Sequence, residues 1–142
     1  MNACHTKQSI AAWLVAGFLL AGAQSALADN EPAKNPREQL DTLIPEAIRL
    51  LEAKEYQIVL KMIVPPDVLK QITEGSSLEK FAETFGRDHA ADLLTALKAI
   101  KEVKPTLDAK GETATYELKP PIDGKDSITL VKIEKYWYIA DK

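Results

Sequence analysis

The 142-residue sequence holds one cysteine, two histidines, six glycines and no marked excess of either charge. A single cysteine excludes an internal disulfide, a C-x-x-C redox pair and a cysteine-built zinc site. Eighteen basic against twenty-one acidic residues leave no electrostatic footprint for nucleic acid or anionic lipid. The phosphate-cradling patterns G-x-x-x-x-G-K-[ST] and G-x-G-x-x-G are missing, as is the G-x-S-x-G nucleophile elbow. There is no internal repeat and no low-complexity run. What is there sits near the globular average, 46% hydrophobic and 27% charged, and suits one ordinary domain.

The N-terminus carries an address. After Lys7, the run Ile10 to Ala23 (IAAWLVAGFLLAGA) has no charge, and Ala26-Leu27-Ala28 follows with small residues at both positions a signal peptidase reads. This is the n-region, h-region and A-x-A order of a secretory signal peptide. The run is about 14 residues, short of the ~18–20 that span a bilayer, so a retained anchor is the weaker alternative. No cysteine stands at the cleavage point, which argues against a lipoprotein. The expected organisation is a signal peptide over 1–28, a flexible polar leader over 29–36 (DNEPAKNP) and one domain over 37–142. The expected destination is a bacterial periplasm or, failing that, the medium. Cleavage removes Cys4, His5 and Lys7 and leaves His89 as the one histidine.

The first part of the domain reads as helical. Leu40, Leu43, Ile44, Ala47, Ile48 and Leu51 follow the i, i+3, i+4, i+7 rule. Pro45 within that stripe either kinks one helix or starts a second. Tyr56 to Val64 is rich in Ile, Val, Leu and Met, Pro65-Pro66 stops it, and Asp67 to Ile72 supports one or two further turns. Ser76 with Glu79 forms a capping box ahead of Phe81 and Phe85. Gly86 marks a break, after which Arg87 to Ile100 places Ala90, Leu93, Leu94, Leu97 and Ile100 on one stripe.

From Lys101 the period shortens. Lys104 to Asp108 reads as a short extended piece and Asp108 to Gly111 as a hairpin turn. Thr113 to Leu118 alternates, with Ala114, Tyr116 and Leu118 on one face. Pro120-Pro121 and Asp123-Gly124 then break the chain before a strand over Ser127 to Glu134. That strand is apolar on both faces (Ile128 and Leu130; Val131 and Ile133), so either both sides are covered or a bulge between Leu130 and Val131 resets it. Glu134-Lys135 turns, and Tyr136 to Ala140 is the last strand. The fold class is α+β, with N-terminal helices packed on one face of a curved antiparallel sheet of three to four strands.

Helices followed by a meander that ends in VKIEKYWYIAD resembles the NTF2-like (cystatin-like α+β cone) superfamily. Small exported members end in a hairpin whose last strand runs from a basic residue or glycine through Trp and Tyr to an aliphatic, here Lys135, Trp137, Tyr138 and Ile139. The segment Glu46 to Leu60 (EAIRLLEAKEYQIVL) is similar to the family's first helices. The resemblance covers nearly all of the chain after the signal. It implies a cone-shaped fold used by isomerases and dehydratases with an interior pocket, and by non-catalytic binding or dimerisation modules. The acid–base set of the catalytic members has no match, so the fold is carried over and an activity is not.

Candidate chemistry is sparse. His89 alone cannot build a zinc site, and in the first turn of a helix it reads as a solvated or capping residue rather than a base. Asp88 and Asp92 share a helix face, as do Glu79 and Glu83, but Arg87 and Lys98 nearby make charge pairing the simpler account. Lys98, Lys101 and Lys104, interleaved with Glu102, read as a solvated helix end. The best candidates for binding are Tyr116, Tyr136, Trp137 and Tyr138. Alternation puts Tyr136 and Tyr138 on one face and Trp137 and Ile139 on the other, without saying which face is inner. Apolar rings with polar tips suit a pocket or an interface, and also ordinary sheet packing.

The expected function is a non-enzymatic exported domain that binds a small apolar ligand or a protein partner, with a sheet-to-sheet homodimer as one form. No cofactor, metal, nucleic acid or membrane span after cleavage is expected. The alternative is a small NTF2-like isomerase or dehydratase-type enzyme, with Tyr116 or Tyr138 as electrophile and a carboxylate or His89 as base. A third reading is an envelope structural factor with no pocket. The address is checked by intact mass: in a Gram-negative host the released protein begins at Asp29, whereas a product retaining residues 1–28 contradicts the signal.

Overall fold

The computed structural model describes residues 34–140, so the expected signal peptide and most of the expected leader lie outside the described residues. Asn35 and Pro36, at the leader's end, already belong to the folded unit. Asn35 Oδ1 accepts from the Arg37 N–H (3.1 Å) and caps a 3₁₀ turn over Pro36–Glu38. Five α-helices follow: α1 Leu40–Glu52, α2 Tyr56–Ile63, α3 Pro66–Gly75, α4 Leu78–Asp88 and α5 Ala90–Ile100. Four strands close the chain: β1 Thr106–Leu107, β2 Thr113–Ile122, β3 Lys125–Ile133 and β4 Tyr136–Ala140. They pair antiparallel in the order β1-β2-β3-β4, an open meander. The α+β class is therefore as expected.

Alternation decides the inner face. Ala114 pairs with Leu130 and Leu130 with Ile139, while Tyr116 pairs with Ile128. Ala114, Tyr116, Leu118, Ile128, Leu130 and Trp137 join one cluster with Leu43, Ile44, Ala47 and Leu51 of α1 and Leu97 and Ile100 of α5. Burying each such aliphatic side chain contributes roughly 1.5–3 kcal/mol. Helix α5 packs on both β2 and α1, so α5 covers the sheet at β2 and α1 packs behind it in the same core. Helix α3 lies outside this arrangement and buries no residue fully.

Several local expectations are corrected. Of the two alternatives for Pro45, the single helix holds: Pro45 lies inside α1 and starts no second helix. The cap of α4 is Ser77, whose Oγ accepts from the Lys80 N–H (3.2 Å), and not Ser76. Helix α4 runs through Gly86, and the break falls at His89, which ends α4 and leads into α5. The glycine has a packing reason. The ring of Tyr56, edge-to-face with Phe85 (centroids 6.1 Å apart), occupies the space a Cβ at position 86 would need.

The strands depart in one place. Pro120 and Pro121 do not break the chain but lie within β2, where the register with β3 shifts between Glu117 and Ile122. Prolines have no N–H to offer a ladder, so β3 holds β2 on either side of them. The irregularity thus belongs to β2. Leu130 and Val131 keep one unbroken register with both neighbours, so of the two alternatives for this strand the bulge is ruled out. Asp123 and Gly124 both take positive φ (50° and 75°), as a two-residue hairpin turn demands. At the first hairpin the Asp108 carboxylate accepts from the N–H groups of Thr113 (2.9 Å) and Glu112 (2.7 Å). Those bonds, Thr113 first, hold its carboxyl below the usual range.

Gly86→Ala tests the packing around Tyr56. Alanine is the better helix former by roughly 1 kcal/mol, yet the overpacking is expected to destabilise by about 1–3 kcal/mol. A lowered urea midpoint is expected; an unchanged or raised midpoint contradicts the close approach.

Candidate functional site

The alternation of β2 that turns Ala114 and Leu118 inward also turns Tyr116 inward, and Tyr116 is only 2% exposed. Ala114 and Leu118 meet helices, but Tyr116 stands where α1 begins and α5 has ended. A pocket of about 220 Å³ opens there. The first turns of α1 contribute Leu40, Asp41, Ile44 and Pro45, and the segment after α5 contributes Lys101, Glu102 and Val103. Ile44 is buried, and Val103 is exposed at the rim.

The hydroxyl of Tyr116 has no hydrogen-bond partner among the described residues. Burial first, and then the negative charge of Asp41, push its phenol above the ordinary tyrosine value. At neutral pH the group is therefore a protonated donor held in the field of a carboxylate. Pro45, lacking an N–H, cannot give the Asp41 carbonyl its i→i−4 bond within α1. The pocket thus combines apolar residues (Leu40, Ile44, Pro45 and Val103) with the exposed polar residues Asp41, Lys101 and Glu102.

The four aromatic residues singled out in the sequence are not brought together. Tyr116 and Trp137 face inward, the latter 6% exposed in the core with Lys132 Nζ 5.8 Å from its ring centroid. Tyr136 and Tyr138 lie on the opposite face, which the 3₁₀ turn covers; Tyr138 is buried, 5% exposed, and Tyr136 is half-buried. The Arg37 guanidinium carbon stands 4.4 Å from the Tyr136 ring centroid and 5.8 Å from that of Tyr138. Arg37 Nη1 also reaches the Tyr138 hydroxyl at 3.5 Å, a long contact. Its Nε donates to Asn35 Oδ1 (3.2 Å), so the cation is fixed from both sides. A cation on an aromatic face contributes ~0.5–1 kcal/mol at such sites.

The other candidates fall where ordinary surface chemistry puts them. His89 is exposed at the α4–α5 junction, its backbone N–H donating to the Phe85 carbonyl (2.9 Å). Asp88 is held by the adjacent Arg87 (2.7 and 3.0 Å), which lowers its carboxyl pKa, and Lys98 pairs with Glu52 (2.6 Å). Glu79 and Glu83 are exposed. No group of three or more metal-ligating side chains occurs among the described residues. Sequence reasoning missed Asp41, Pro45 and Glu102 as pocket residues. A proline within an otherwise regular apolar stripe was the one available signal.

No family model matches the sequence, and neither curated proteins nor solved structures show a match to it.

Tyr116→Phe tests the orphan hydroxyl. Removing a donor that has no partner is expected to leave the thermal midpoint unchanged or raise it. A fall of more than about 1 kcal/mol is the signature of a lost hydrogen bond and contradicts the site as described.

Proposed function

We propose that the chain is an exported, non-enzymatic domain that binds a small, largely apolar ligand at the pocket between α1, the end of α5 and β2. The carrying observation is Tyr116, a buried residue that lines an open pocket and whose hydroxyl has no partner among the described residues. A ligand bearing one acceptor would answer it. Export to a periplasm or the medium is part of this reading and rests on the residues of the N-terminus. So is the NTF2-like cone, supported by the order of helices then meander and by the aromatic last strand.

The filled interior argues for the edge over the centre. Leu43, Leu60, Leu97, Ile100, Leu130 and Val59 show almost no exposure, and they occupy the space where an internal ligand would sit. At about 220 Å³ the pocket falls below the ~300–1,000 Å³ of drug-sized sites. Its volume equals roughly seven liquid waters, which suits a ligand of a few heavy atoms.

A second reading, a protein partner or a second copy on the outer sheet face, is favoured by Ile133. It is 40% exposed and pairs with half-buried Tyr136. An isomerase or dehydratase-type activity has one supporting observation, the Tyr116 phenol in the field of Asp41, with Tyr116 then donating a proton and Asp41 accepting one.

Titrating isobutanol into the ¹⁵N-labelled protein tests the binding reading. Saturable shifts in the amides of Lys101, Glu102, Val103 and Tyr116 are expected. Shifts confined to Tyr136 and Tyr138, or none, contradict it.

A further inference from the structure

Two tyrosines are buried, Tyr116 and Tyr138, and they differ in what their hydroxyls meet. The Tyr138 hydroxyl has Arg37 Nη1 at 3.5 Å. The Tyr116 hydroxyl has no partner among the described residues, and Tyr116 lines the pocket at the start of α1. Burial first, and then the charge of Asp41 in the same pocket, keep the phenol protonated across the neutral range. Its hydroxyl is thus a neutral donor that calls for an acceptor.

The surroundings narrow the kind of acceptor. An ionised carboxylate would shed its hydration against Leu40, Ile44 and Pro45 and gain one neutral hydroxyl in return. Lys101 compensates little, because it is exposed and its attraction is screened by solvent. The charge of Asp41 acts in the same direction. An uncharged carbonyl sheds far less hydration, presents two lone pairs and brings no hydrogen that needs a partner of its own. The side chains that could accept such a hydrogen, Asp41 and Glu102, are exposed to water and call for none. A volume of about 220 Å³, equal to roughly seven liquid waters, admits a short alkyl body beside the carbonyl.

We infer that the pocket takes a small uncharged carbonyl compound, a ketone or ester, whose oxygen accepts from the Tyr116 hydroxyl while its alkyl groups lie against Leu40, Ile44 and Pro45. This deepens the proposed ligand pocket and rests on it.

The test titrates methyl isopropyl ketone, isobutyrate and isobutyl chloride into the ¹⁵N-labelled protein at pH 7 and equal ionic strength. The chloride has a similar alkyl body and only a feeble acceptor. The series is repeated on Tyr116→Phe, with the thermal midpoint measured to confirm that the variant folds. The ratio of ketone to chloride affinity is expected to be about 3–10-fold higher in the wild type than in Tyr116→Phe, as one neutral hydrogen bond gives. Isobutyrate is expected to bind the wild type about tenfold or more weakly than the ketone. That second comparison decides on the wild type alone, whatever the variant does. If the ratio is the same in both proteins, or isobutyrate matches the ketone, the carbonyl inference falls and the pocket stands. If no probe shifts the amides of Lys101, Glu102, Val103 or Tyr116, the pocket falls with it.

Discussion

The placement of Tyr116 follows from a constraint that no single contact can undo: residues two apart on a strand share a face. Ala114 and Leu118 are buried in the core that α5 closes over β2, so Tyr116 between them must be buried as well. A tyrosine at this position brings a hydroxyl into the edge of the core. The neighbouring helices offer it no partner, because α1 is only starting there and α5 has ended. The pocket, its apolar wall and its polar groups all descend from that mismatch between strand periodicity and helix length.

The rest of the fold makes the mismatch stable. Six residues of α1 and four of α5 are fully buried, which places the sheet firmly against the two helices. The meander is stitched at its ends by turn chemistry. Asp108 satisfies two N–H groups at the first hairpin, and Asp123-Gly124 supplies the positive φ angles of the second. On the outer face, Arg37 ties the chain entering α1 to Tyr136 and Tyr138 of the last strand. The start of the described chain and its end are thereby fixed on the same side of the sheet, where the 3₁₀ turn covers Tyr138.

How much of this was legible in the residues varies with the range of the interaction. The helical stripes and the alternation of Thr113 to Leu118 announced the α+β class, since each depends on local periodicity. Local cues were less reliable where a distant residue intervened. Gly86 looks like a break and is instead room for the Tyr56 ring, thirty positions earlier. The prolines of β2 look like strand ends and are instead carried by pairing on either side. The apolar residues on both faces of β3 resembled a bulge because the coverage of the outer face cannot be read from one strand. Tyr116 was singled out with three other aromatic residues because all share a residue type. Only the assembled sheet separates it from Tyr136 and Tyr138, and only the helix ends place Asp41 and Glu102 beside it.

The most direct measurement of the central claim is the titration of Tyr116 itself, followed by the ¹³Cζ resonance of labelled tyrosine with Tyr116→Phe for assignment. A phenol enclosed at the mouth of the core and held in the field of Asp41 is expected to ionise above the ordinary tyrosine value of about 10. It should move back toward that value in Asp41→Asn. Ionisation at or below the ordinary value, indifferent to Asp41, would show a solvated side chain and contradict both the burial and the pocket built on it.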